Sequence, residues 1–137
     1  MINTPGPHRV LVDTNIVIDA LRGRMPAMEA IDGRLAEHEV LCLSVVSRFE
    51  VLAGARPAEL DAIREHLSIY VSVGVDDAIA DTAGDLARTY RRSHSSIDAV
   101  DYLIAASTRL HADELLTLNV KHFPMFPNLE PPYRARA

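Results

Sequence analysis

Asp13, Glu50 and Asp101 fall on three separate segments, each beside an apolar stretch. Asp13 closes Val10-Leu11-Val12, Glu50 sits among Val45, Val46, Phe49, Val51 and Leu52, and Asp101 precedes Tyr102-Leu103-Ile104-Ala105-Ala106. No basic residue adjoins Asp13 or Asp101 in the chain. Carboxylates gathered in one crevice repel and raise one another's pKa unless a hard cation neutralises them. Mg²⁺ or Mn²⁺, with oxygen ligands and retained water, is the natural partner for such a set.

Each acid also has an ordinary use. Asp13 can cap the helix that follows it, a task Thr14 could share. Glu50 is either a carboxylate in apolar surroundings or a solvent-facing side chain beside Arg48, and both readings stand. Asp98 and Asp101 are three apart and could share a cation. Ser95-Ser96-Ile97-Asp98 matches a capping box, with Ser95 as N-cap and Asp98 at the third helical position, which gives Asp98 a structural job. No capping role accounts for Asp101, which makes it the better functional candidate.

The elements that must position these residues alternate in type. Strands are expected at Val10–Val12, Val40–Leu43, Ile69–Val75 and Leu115–Leu118. Helices are expected from Ile16 to Leu21, from Pro26 with Ala27, Ile31 and Leu35 inward, and from Ser44 as cap to about Gly54. Three more follow: from Pro57 with Leu60, Ile63 and Leu67 inward; from Asp76 as cap, with Ile79, Ala83, Leu86 and Tyr90 on one stripe; and from Ile97 to about His111. Such alternation predicts an α/β domain spanning 1–137, with a mainly parallel sheet of four to five strands flanked by helices. The Pro-rich segment 124–137 should run extended and packed along the surface, or be partly loose. In such sheets ligands sit beyond the carboxyl ends of the strands, where Asp13, the helix of Glu50, and Asn119 with Lys121 and His122 would gather.

Composition removes whole classes. The chain has 137 residues, 48% hydrophobic and 24% charged, in the range of an ordinary folded domain rather than a disordered or fibrous one. Its net charge of -5 argues against holding nucleic acid by bulk positive potential. One basic cluster, Arg88, Arg91 and Arg92 with His94, could still meet phosphates, or simply be a solvated helix end. Cys42 is the lone cysteine, so no internal disulfide and no cysteine-based zinc cluster can form. No stretch suits a membrane span or a leader, and a cytoplasmic location is expected. The six histidines lack zinc-ligand spacing and read as surface or capping groups. Walker, dinucleotide-binding and nucleophile-elbow signatures are absent.

Taken in order, Asp13-Thr14-Asn15 after a strand, Ser47-Arg48-Phe49-Glu50 followed by Gly54, Asp101-Tyr102-Leu103-Ile104-Ala105-Ala106, and Leu116-Thr117-Leu118-Asn119-Val120-Lys121-His122-Phe123 resemble the PIN domain over almost the whole chain. Within it the likeness is greatest to the VapC toxins of type II toxin-antitoxin pairs. That resemblance implies a Mg²⁺-dependent endoribonuclease, with Mn²⁺ an alternative ion, and with Asp13, Glu50 and Asp101 at the acidic cluster. Asp13 and Asp101 would bind the metal, Glu50 would hold or deprotonate its water, and Thr14 and Asn119 would support them or touch phosphate. It also implies a VapB-like antitoxin, an RNA substrate and a toxin homodimer within a larger hetero-oligomer. Asn119 stands where many PIN domains carry a fourth acid, and His122 where others have Asp. That departure weighs against a second tightly held metal and leaves Asp98 as the replacement ligand. A catalytically weak or inert module binding RNA or antitoxin is the alternative. A small-molecule phosphohydrolase is disfavoured because Asn15 occupies the second acid of an Asp-x-Asp pattern.

Overall fold

The computed structural model describes residues 6–135. Four parallel strands, β1 (Arg9–Val12), β2 (Val40–Ser44), β3 (Val71–Val73) and β4 (Glu114–Leu116), form one sheet in the order β3-β2-β1-β4. The helices are α1 (Thr14–Leu21), α2 (Met25–Ala36), α3 (Val45–Ala53), α4 (Leu60–Leu67), α5 (Asp77–Tyr90) and α6 (Ala99–His111). The alternation read from the sequence therefore yields the expected α/β fold with a parallel sheet.

Strand pleating divides the core in two, because alternate side chains face opposite ways. Leu11, Cys42, Val73 and Leu115 join the face covered by α5 and α6, where Ile79, Ala83, Leu86, Ile104 and Ala105 are buried. Val10, Val12, Leu41, Leu43 and Leu116 join the other face, packed against Ile16 and Val17 of α1, Ile31 of α2, Val51 of α3 and Ile63 and Leu67 of α4. Both faces are covered, as parallel strands with continuous apolar runs require.

The chain winds outward from β1 through β2 to β3, then returns across the sheet to β4 on the far side of β1. The path reverses between β1 and β4, and a crevice opens beyond their carboxyl ends. α6 fixes the direction of the return. Its last carbonyl, on His111, accepts from Arg9 Nε at 2.8 Å at the start of β1, so its first turn lies at the opposite rim.

Several boundaries differ from the sequence expectation. α1 begins at Thr14, directly after Asp13, whose carboxylate caps it. Pro57–Glu59 forms a separate 3₁₀ turn before α4. β3 spans three residues rather than seven, since the amides of Ile69 and Tyr70 still bond back to His66 and Leu67 at the end of α4. β4 ends at Leu116, because Thr117 turns its hydroxyl to Asp13. Leu35 is 38% exposed at the end of α2 instead of facing inward. Ser44 and Asp76 cap α3 and α5 as expected, accepting from the amides of Val46 and Ile79.

Beyond Phe123 the described residues hold no helix or strand, yet they are packed down. Met125 is buried, Phe126 and Leu129 lie on the α5/α6 side of the core, and Tyr133 joins the other side. The Tyr133 hydroxyl donates to Asp19 of α1 at 2.8 Å, and Arg24 reaches both Asp19 and the carbonyl of Arg134. Among the described residues no helix is long and apolar enough to cross a membrane.

Phe123, 1% exposed, anchors the segment that follows β4. Replacing it with Ala should lower stability by about 3–5 kcal/mol, read as a fall in the urea midpoint at unchanged slope.

Candidate active site

The cleft over the β1/β4 reversal encloses about 260 Å³ and is lined by Asp13, Thr14, Asn15, Ile18, Glu50, Asp98, Val100, Asp101, Asn119 and His122. Three acids predicted from separate segments do meet, and Asp98 and Asn119 join them.

Asp13 leaves β1 with no intervening loop. Its amide donates to the Leu116 carbonyl at 2.9 Å, and its carboxylate is 4% exposed. Oδ1 accepts from the Thr14 amide at 2.8 Å and Oδ2 from the Thr117 hydroxyl at 2.7 Å. Thr117 in turn accepts from the Asn119 amide at 3.0 Å. The side chain is held from β1, α1 and the segment after β4 at once. Burial nonetheless raises the Asp13 pKa; the bonds from Thr117 and Thr14 oppose that, and the Glu50 charge adds to it.

Glu50 resolves the two readings left open by the sequence. It is half-buried, lines the cleft, and pairs with Thr14 rather than with an arginine. The Thr14 hydroxyl lies 2.8 Å from both Glu50 Oε1 and Ser47 Oγ. A hydroxyl has one proton; the carboxylate, as the stronger acceptor, takes it, and Ser47 donates to Thr14. Ser47 and Glu50 are three apart on α3, hence on one face, and Ser44 starts that helix with no loop after β2.

The first turn of α6 corrects the sequence expectation most clearly. Ser95 is not its cap. Asp98 is, and α6 begins at Ala99 rather than Ile97. Asp98 Oδ1 accepts from the Asp101 amide at 3.0 Å, while Asp101 Oδ2 accepts from the Asp98 amide at 3.2 Å. Asp101 thus has the capping role that the sequence seemed to deny it. It remains 9% exposed, and burial together with the charges of Asp98 and Asp13 pushes its pKa up to about 6, against the Asp98 amide and His122.

His122, refused a zinc-ligand role by its spacing but expected at this rim beside Asn119, is part of the site. It closes a 3₁₀ turn after β4, with Nδ1 3.1 Å from Asp101 Oδ2. Thr117 and Ser47 are the residues that sequence reasoning missed; both lie inside the motif stretches, but nothing in their types marks them. Arg88, Arg91 and Arg92 do not line the cleft. Arg88 pairs with Asp85, and Arg91 lines a separate groove between α5 and α6.

Among the described residues, no three His, Cys, Asp or Glu side chains already converge on one ion. The acids ring an open cleft instead. That still suits a hard cation such as Mg²⁺, which keeps several waters and takes only one or two protein carboxylates directly. Burial, first of all, holds the carboxyl groups of Asp13 and Asp101 above their ordinary pKa, and a bound cation would offset that cost of ionising them.

Fold and cleft together define a parallel α/β protein whose site is an acid-rich cleft at the topological switch point. The PIN domain model matches residues 10–124, and the chain belongs to that family. It is 47% identical over 123 residues to ribonuclease VapC19 of Mycobacterium tuberculosis, covering 90% of this chain and 98% of the relative. Ribonuclease VapC10 of the same organism is 41% identical over 129 residues, covering 90% and 92%. A toxin-antitoxin complex from Klebsiella pneumoniae contains a chain that superimposes with a TM-score of 0.76 at 28% identity, covering 92% of this chain and 99% of that one. VapBC-1 from nontypeable Haemophilus influenzae shares the fold, with a TM-score of 0.69.

Because folded Asp101 holds its proton more tightly than the unfolded chain, its ionisation costs stability as pH rises from the ordinary Asp value of 3.8 to about 6, and the full cost persists above. Asp101→Asn, which keeps an oxygen for the cap, should therefore melt several degrees above wild type well above pH 6 in chelator. The two should converge below about pH 4, where both carry a neutral group. Thermal melts at the two pH values test this.

Proposed function

We propose that this chain is a metal-dependent endoribonuclease and the toxin member of a VapBC-type pair. The observation that carries the reading is the convergence of Asp13, Glu50 and Asp101, from β1, α3 and α6, on one cleft at the sheet's switch point. The ribonuclease names of relatives at 47% and 41% identity support the RNA substrate. The toxin-antitoxin complexes among structures of the same fold support an antitoxin partner.

Asp13 and Asp101 would hold the divalent ion, Mg²⁺ or Mn²⁺, with Asp98 and Asn119 within the same cleft. When bound, that ion supplies charge neutralisation at the phosphoryl oxygens and lowers the cost of ionising a water. The rest falls to the protein. Thr117 and the Thr14 amide fix both oxygens of Asp13, so its lone pairs toward the cleft are set before substrate arrives. Thr14 binds one oxygen of Glu50, which orients the other to accept a proton from the attacking water. The Asn119 side-chain amide lines the same space and can donate to a phosphate oxygen without adding a negative charge there.

The test is cleavage of a panel of structured RNAs by the antitoxin-free chain with Mg²⁺ or with EDTA. Cuts that need Mg²⁺ and vanish in both Asp13→Asn and Asp101→Asn are expected. Cutting that persists in either variant would sink the assignment, and RNA binding without any cutting would favour the inert module. Glu50→Gln should slow cleavage by about 10²–10⁴-fold if Glu50 is the base, while leaving RNA affinity nearly unchanged.

A further inference from the structure

Helix α5 turns toward solvent a face that neither the core nor the acid cleft uses. Asp77, Asp81 and Asp85 lie along its first part and Arg88 near its end, with Arg91 and Arg92 directly after, and all six are exposed. Asp85 and Arg88 pair with each other. Among the described residues, Asp77, Asp81, Arg91 and Arg92 take part in no ion pair. Beside this stripe runs a groove of about 350 Å³, walled by Ala83, Gly84 and Ala87 of α5 and by Ala99 and Leu103 of α6. Tyr102 lines it as well, only 6% exposed, and its buried hydroxyl has no hydrogen-bond partner among the described residues.

Gly84 sits in the middle of this face. A glycine inside a helix destabilises it relative to alanine and is of use where another backbone comes close. Nothing in the chain comes close here: an added Cβ would meet only Arg88 Nη1, at an ordinary 3.7 Å. The room is left for something from outside, and the charges say what it is. The midpoint between Asp77 and Arg92 and the midpoint between Asp81 and Arg88 both fall between Gly84 and Asp85. Two copies of α5 crossing antiparallel at that point would set each Asp81 against the partner's Arg88 and each Asp77 against the partner's Arg92. A surface complementary to itself is what a two-fold contact requires. We propose that this face of α5 is where a second copy of the chain docks, antiparallel, with Gly84 at the crossing.

The two kinds of feature do different work. Exposed ion pairs add little strength each, but opposed charges fix register and reject the wrong alignment. Strength comes from the small-residue walls, which let the helices approach and bury the groove. The arginines, which do not line the cleft, thereby acquire a use. An RNA backbone would suit Arg88, Arg91 and Arg92 alone, but the three acids on the same stripe would repel it. No step of the ribonuclease reading enters this inference.

Sedimentation velocity of the whole chain, free of antitoxin and RNA, over a concentration series tests the face. Wild type is expected to form a dimer. Asp81→Arg and Arg88→Asp each set like charges against one another twice, and each should weaken the dimer by about tenfold or more. Mixed in equal amounts, the two variants should associate again, because each then meets the opposite charge in the other. Gly84→Leu should also dissociate the dimer by filling the crossing point, with its circular dichroism unchanged. A wild type that stays monomeric at every concentration would overturn the proposal. So would a dimer indifferent to both charge reversals, or one that Gly84→Leu leaves intact. Single variants that dissociate but do not associate when mixed would overturn the antiparallel register and the proposal with it. Recovery in the mixture could not come from misfolded chains, so it guards against that reading of the single variants. Every readout is association and none is cleavage, so a failure here leaves the ribonuclease reading standing.

Discussion

A carboxylate removed from water must be satisfied by the protein or by an ion, and Asp13 shows how much structure that requirement organises. One side chain binds the end of β1 to the start of α1 and, through Thr117, to the segment after β4. Those strands are neighbours only because the chain doubles back across the sheet. Both available partners are used, and the group still sits above its ordinary pKa. Internal hydrogen bonds fall short of neutralising it.

Glu50 and Asp101 meet that unneutralised charge from two further directions. α3 begins without a loop after β2, so the rotational position of Glu50 is fixed by the strand end, and the Ser47–Thr14 hydroxyl pair tethers it to the helix that Asp13 caps. α6 starts at the same rim because its far end must deliver the chain to β4. Asp98 and Asp101 cap one another there, which orders two acids with backbone amides and spends no cation on them. The arrangement concentrates like charge where a stability-optimised protein would disperse it.

Sequence periodicity and caps revealed the layered fold, because strand runs such as Val10–Val12 and stripes such as Ile79, Ala83 and Leu86 obey local rules. The acids were legible for a related reason: carboxylates beside apolar runs violate those rules and stand out. What escaped depended on three-dimensional adjacency. Thr117 and Ser47 are unremarkable residue types whose value comes from what lies opposite. His122 was expected at the rim, but its contact with Asp101 exists only in the fold. The α6 cap went to Asp98 instead of Ser95 since two overlapping boxes were available, and only the closing geometry of the first turn, with Ile97 buried in the core, selects between them. The short β3 reflects the end of α4, whose carbonyls still hold the amides of Ile69 and Tyr70.

The clasp near the end of the chain reaches further than its lack of regular structure suggests. Asp19 sits on α1 five residues beyond Thr14, and it is gripped from one side by Arg24 and from the other by the Tyr133 hydroxyl, with the Arg24 guanidinium lying 5.1 Å over the Tyr133 ring. Tyr133 and Arg134 thereby fasten the end of the described chain to α1 and the turn after it. Loss of the Tyr133 ring would therefore free Asp19 and Arg24 together, since one hydroxyl and one ring face hold both.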